Sequence, residues 1–250
     1  GLDYLLMELG KRRMTAVLYF NNAWEWSGGY TQYVAWANNT PVLVPRVDGW
    51  FSYNTFAGEF VRNERAKELF YNHVRYIVTR TNRYTGVKYI DDPAIFSWQI
   101  CNEPRAFSAT REGENQEAFA EWIATSAKII RELDPNHMIS TGSEGYYGCE
   151  WSMELCEKIH ALDEISYVNC HVWPYNWKWM RGDAMREDLK QSCENTEEYI
   201  NMHLELGRKI AKPVVVEEFG MPRDNMDFHK GSPVTCRDMY YTFVFDLIVK

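Results

Sequence analysis

Short runs of apolar, β-favouring residues alternate along this chain with longer segments in which apolar residues recur every three or four positions. Leu2–Gly10 reads as a helix and Met14–Phe20 (MTAVLYF) as a strand. Ala66–Asn82 has helical periodicity, with Leu69, Phe70, Val74, Ile77 and Val78 on one face. A second strand is expected over Ile95–Cys101. Gln116–Leu133 follows as a helix that turns Phe119, Trp122, Ile123, Ile129 and Ile130 inward. Asp134-Pro135-Asn136 is the kind of sequence that ends a helix. The pattern continues with strands at His137–Thr141 and Ile165–Cys170, a helix at Glu194–Ile210, a strand at Val214–Glu217 and a last helix at Cys236–Val249.

Strand followed by helix, repeated, predicts an α/β fold with a parallel sheet buried under helices. Doubly wound sheets and closed barrels both fit. No Gly-x-Gly-x-x-Gly follows a strand, which argues against a dinucleotide fold. One catalytic domain over residues 1–250 is expected, without linker or repeat. Gly28–Arg65 shows little helix or strand signal, and a long irregular segment in a compact domain is usually a functional loop.

Composition narrows the function. The net charge of −8 disfavours a nucleic-acid partner, and no apolar run is long enough to span a membrane. The chain holds 10 Trp, 16 Tyr and 12 Phe, enough for a large aromatic core and for a cleft that stacks sugar rings. Among the aromatics inside predicted elements, Trp98 and Trp122 are expected in the core. Six cysteines form no C-x-x-C pair and no zinc-type spacing. Cys101 and Cys170 read as buried thiols. Cys149 and Cys156 could bridge a short loop or sit unbonded, so the redox compartment stays open.

Two strands run into carboxylates: Phe96–Cys101 into Asn102-Glu103-Pro104-Arg105, and Val214–Val216 into Glu217-Glu218-Phe219-Gly220. In a parallel α/β barrel all C-terminal strand ends share one rim, where catalytic residues sit. Glycosidic bond cleavage needs two carboxyl groups, one holding a proton and one ionised. A lone strand-end Glu is more often an ordinary ion pair. Two of them, each at a strand–polar–Gly/Pro junction, bring the catalytic reading level.

Beyond those junctions, His171-Val172-Trp173-Pro174, Trp24-Glu25-Trp26-Ser27-Gly28-Gly29-Tyr30 and Asp91-Asp92-Pro93-Ala94-Ile95 complete a set in fixed order. With them, the chain resembles glycoside hydrolase family 5, and within it the endo-β-1,4-mannanase branch. The resemblance runs from about residue 12 to the end. It implies a (β/α)8 TIM barrel, with strands three to seven present here and strands one, two and eight missing. It also implies a retaining double displacement on β-1,4-mannosidic bonds of mannan, glucomannan or galactomannan, with no metal and no cofactor.

Carried over by motif, Glu103 is the acid/base and Glu218 the nucleophile. Glu217, on the opposite face of the strand, is left to a structural ion pair. Asn102 is expected to hold the sugar 2-hydroxyl and His171 to orient the nucleophile, while Arg105 and Glu144 contact hydroxyls beyond the cleavage point or pair as rim ions. Trp177, Trp24 and Trp26 are candidate stacking platforms, though one of the last two could point to the core. The family usually has Tyr where this chain has Trp173, so the hydrogen bond that tunes the nucleophile would come from an indole. A monomer that is secreted, periplasmic or on the cell surface goes with this family. The competing readings are an endo-β-1,4-glucanase of the same family and a glycan-binding protein or inactive fragment without turnover.

Overall fold

The structure, a computed structural model, describes residues 1–110 and 112–249. It divides into two compact units, residues 1–168 and 169–250.

In the first unit, helix α1 (Leu2–Lys11) leads to strand β1 (Ala16–Tyr19). Helices α2 (Gly29–Asn38), α3 (Pro45–Asp48), α4 (Trp50–Gly58) and α5 (Glu64–Val78) follow, then strand β2 (Ile95–Gln99), helix α6 (Gln116–Leu133), strand β3 (Met138–Ser140) and helix α7 (Met153–His160). β1, β2 and β3 form a parallel sheet in that order. Ala16 lies opposite Ile95 and Val17 opposite Ser97, so Phe96 is an extra residue that the β1 ladder skips. From there the register is regular and extends past the strands to a bridge between Asn22 and Asn102.

Much of the aromatic content is core. Trp122 on α6, Phe70 on α5, Phe60 and Tyr30 on α2 are fully buried against one another, with Tyr30 stacked on Phe60 at 4.3 Å and Trp122 edge-on to Phe60 at 5.2 Å. Each such ring contributes about 1.5–3 kcal/mol by leaving water. Trp98 is also buried, and its indole N–H donates to Asp134 at 2.7 Å. Asp134 has no exposure and accepts from the His137 ring at 2.7 Å and from the backbone N–H of Asn136 and His137. Burial pushes its carboxyl up, but these bonds outweigh it and hold the pKa below the usual range.

A second buried carboxylate ties α1 to the segment after α5. Asp3 accepts from the Tyr89 hydroxyl, from Arg80 at 3.0 Å and from Arg83 at 3.1 Å. The Tyr89 bond, against the opposing cost of burial and with help from Arg80, lowers the Asp3 pKa to about 2. A depressed folded-state pKa gives stability that is fully present above the unfolded value and lost as pH falls through the folded one. Melting temperature should therefore fall between about pH 4 and pH 2, and an Asp3→Asn variant should show a flatter acid limb. Parallel pH–melting curves for the two proteins would rule this linkage out.

The segment expected to be irregular, Gly28–Arg65, is instead largely helical. α2 buries Gly29, Tyr30, Thr31, Val34 and Ala35, and α4 buries Tyr53, Ala57 and Gly58. Small and hydroxylated residues make up much of those faces, so an apolar stripe does not show. Helix α7 lies outside the elements that the sequence pattern predicts. Ser152 caps it by accepting the Leu155 N–H at 3.1 Å, and Leu155, Cys156, Ile159 and His160 form its buried face.

The second unit contains strands β4 (Val168–Val172) and β5 (Val214–Phe219), which pair, and helices α8 (Met185–Ile210) and α9 (Thr235–Val249). β4 lies further along than the expected Ile165–Cys170, and α8 starts at Met185 rather than Glu194, its added turns burying Met185, Leu189 and Ser192. Met180, Met185, Leu189, Met221, Cys236, Tyr240 and Val244 form the core of this unit. All six cysteines are unbonded thiols, Cys149 and Cys156 included. Among the described residues, no helix is long and apolar enough to cross a membrane.

Candidate active site

In the first unit, the chain leaves β2 and places Asn102 and Glu103 between the extensions of its two neighbours. The Asn102 N–H donates to Asn21 on the β1 side at 2.8 Å, and the Glu103 N–H donates to Gly142 on the β3 side at 2.9 Å. This grip holds Glu103 at φ +50°, left-handed backbone that an L-residue adopts at a cost of about 1–3 kcal/mol. Pro104 makes it less favourable still, because a proline biases its predecessor toward extended backbone. Gly142 permits the approach, since a Cβ there would lie 1.8 Å from the Cys101 carbonyl oxygen.

The Glu103 side chain is 7% exposed. The Trp24 indole Nε1–H donates to its Oε2 at 2.6 Å. Trp24 is positioned by Asn22, whose side-chain oxygen accepts the Trp24 backbone N–H at 3.1 Å and the Asn102 side-chain amide at 3.3 Å. The Arg105 guanidinium lies 5.0 Å over the Trp24 ring and pairs with the buried Glu144 through bonds of 2.6 and 2.7 Å. Trp24 was expected as a stacking platform. Its polar edge is committed to Glu103, Arg105 lies over the ring, and the ring is half-buried. Trp26 is 70% exposed and retains open ring surface. Asn22 was not anticipated, although it follows a strand end as Asn102 does.

In the second unit, Phe219 at the end of β5 packs edge-on against Tyr241 at 5.4 Å and Phe245 at 5.6 Å on α9. This anchors the strand end, and the preceding Glu218 side chain stays about one-third exposed. The Trp173 indole Nε1–H donates to Glu218 Oε2 at 3.2 Å. The residue that departs from the family pattern therefore still supplies a donor to the same carboxylate. The ring lies so close over Gly220 that a Cβ there would meet it at 2.3 Å, which explains the glycine in Glu-Phe-Gly.

His171 is fully buried, with Nδ1 3.5 Å from Glu218 and Nε2 3.6 Å from Glu217. Glu217 accepts the Asn169 side-chain amide at 2.9 Å. Trp177 packs against Trp179 and Tyr199, each at 5.1 Å, and is half-buried. Burial, reinforced by the Glu217 charge, pushes the Cys170 thiol up to about 12, so it carries no thiolate at neutral pH.

Two carboxylates, each at a strand end and each held by an indole N–H from its own unit, are groups suited to proton transfer and to nucleophilic attack. The chain is also similar to known proteins. A family model described as GH family 5 beta-mannosidase-like matches residues 1–250. Putative mannan endo-1,4-beta-mannosidase 4 of Arabidopsis thaliana is 29% identical over 264 residues, covering 99% of this chain and 59% of its own length. Mannan endo-1,4-beta-mannosidase 1 of Solanum lycopersicum is 31% identical, covering 88% of this chain and 53% of its own length. A glycoside hydrolase family 5 mannosidase from Rhizomucor miehei superposes with a TM-score of 0.88 at 31% identity, covering 99% of this chain and 59% of that one. A mutant of that enzyme in complex with mannosyl-fructose gives 0.87. The chain thus spans just over half the length of the relatives it matches. The superposition assigns its α/β fold to the TIM-barrel class, of which five strands are present among the described residues.

Proposed function

Because the chain belongs to glycoside hydrolase family 5, in its β-mannosidase-like group, we propose that the protein hydrolyses internal β-1,4-mannosidic bonds of mannan, glucomannan or galactomannan with retention. In this mechanism Glu218 attacks the anomeric carbon while Glu103 gives its proton to the departing oxygen. A glycosyl-enzyme ester forms on Glu218. Glu103, now ionised, takes a proton from water, which displaces the ester and restores the original configuration. Asn102 holds the 2-hydroxyl, and Arg105 with Glu144 meets the leaving sugar.

The observation that carries this reading is the paired indole donors, Trp24 on Glu103 and Trp173 on Glu218. Each bond fixes a strand-end carboxylate in place through a neighbouring ring. Trp24 can also follow Glu103 through both of its charge states, because a protonated carboxyl still has a lone pair to accept with. The names of the relatives support mannan over glucan. A polysaccharide substrate lies outside the cell, so a secreted or surface location goes with the proposal.

The intact protein should release reducing ends from galactomannan and glucomannan well before carboxymethyl-cellulose. Proton NMR of the first products should show the β-anomer. Initial α-product would rule out retention, and faster release from carboxymethyl-cellulose would move the activity to glucan.

A further inference from the structure

We propose that a cavity in the first unit, bounded by Trp151, Glu150, Gln116 and Ser108, is an additional sugar-binding subsite on the leaving-group side, with Trp151 as its stacking face. The proposal rests on the glycoside hydrolase reading and extends it outward from Arg105 and Glu144. The cavity has a volume of about 590 Å³, within the roughly 300–1,000 Å³ of small-ligand sites. Its walls come from the two loops that already meet in the Arg105–Glu144 pair: the chain after Arg105 supplies Ser108, and the chain after Glu144 supplies Glu150 and Trp151.

Trp151 is 62% exposed, a large apolar surface left in water that the core does not use. Its position is fixed. The Trp151 N–H donates to Tyr146 at 2.9 Å, the Glu150 N–H to Tyr147 at 3.1 Å and the Ser152 N–H to Cys149 at 3.0 Å, and Ser152 then caps α7. Glu150 and Trp151 both sit in left-handed backbone, at φ +54° and +60°. Backbone of this kind is strained for each residue, and the turn's hydrogen bonds hold it.

Beside the ring, Glu150 accepts the Ser108 N–H at 2.7 Å on one oxygen and the Gln116 amide at 3.1 Å on the other. Each oxygen keeps a further lone pair, while the Ser108 hydroxyl and the Gln116 amide offer donors and acceptors. An open indole face beside neutral and anionic acceptors, with no cation among the described lining residues, suits an uncharged polyhydroxylated ring. An anion would face the Glu150 carboxylate. A cation would find that carboxylate already bonded on both oxygens and only one ring.

The test is chain-length dependence in the intact protein. In Trp151→Ala, the ratio of KM for mannohexaose to KM for mannotriose should rise about tenfold, with Trp151→Phe keeping most of the parent ratio. An unchanged ratio in Trp151→Ala would overturn the subsite. Calorimetric titration reads the cavity without turnover. Mannohexaose should bind the Glu218→Ala protein about tenfold more tightly than the Glu218→Ala/Trp151→Ala protein. If the parent protein hydrolyses no mannan, the hydrolase reading fails, and titration with mannohexaose and cellohexaose still decides the cavity. Affinity lost on removing Trp151 keeps it. Equal affinities, or no binding of either sugar, reject it.

Discussion

Glu218→Ala should lower kcat on mannan by about 10⁴-fold or more, because no other group can form the glycosyl ester and the remaining contacts only bind substrate. Glu103→Gln should behave differently. Loss of a general acid costs roughly 10²–10⁴-fold when the leaving group is a sugar hydroxyl. With an aryl β-mannoside, whose phenolate departs unaided, formation of the ester should stay near the parent rate. Its breakdown should slow, because water has lost its base. Steady-state and burst kinetics on the two substrates separate the roles. A Glu218→Ala protein that turns over like the parent would end the assignment. So would a Glu103→Gln protein equally impaired with both leaving groups in the first step.

Asp134→Ala should lower stability by about 3–5 kcal/mol in chemical denaturation. Asp134 joins the end of α6, the start of β3 and the centre of β2 through the Trp98 indole, the His137 ring and two backbone N–H groups. Alanine would leave the Trp98 N–H unpaired at a site with no access to water. A loss below about 1 kcal/mol would show that the surroundings relax to satisfy those donors.

Much of the site was legible in the sequence because its chemistry is concentrated in contiguous junctions. Asn102-Glu103-Pro104 and Glu218-Phe219-Gly220 name a strand end, a carboxylate and a turn in a few letters. The partners of those carboxylates were harder to read. Trp24 lies 79 residues from Glu103, and no local pattern says whether an indole offers its face or its N–H. Trp173 could be placed beside Glu218 only by analogy, and that its N–H reaches the same carboxylate needed coordinates.

The fold shows a similar division. α5 and α6 have strong apolar stripes and fall close to the expected ranges. α2 and α4 bury glycine, alanine, threonine and tyrosine with Val34 as the one aliphatic side chain, so a search for aliphatic periodicity passes over them.

The skipped Phe96 has a consequence for insertions and deletions. It is extra to the β1 ladder, in which Ile95 and Ser97 already face the adjacent Ala16 and Val17, so deleting it would leave Asn22 level with Asn102 and Trp24 within reach of Glu103. Removing one residue between Ser97 and Asn102, where the ladder is regular, would instead slide the following stretch by one position and turn alternate side chains over. Pro104 would move toward the place Glu103 now occupies. The spacing between Ser97 and Glu103 is thus as much a condition of the Trp24–Glu103 bond as the carboxyl group itself, and a homologue that gained or lost a residue in that interval would need a compensating change before its Trp24 counterpart.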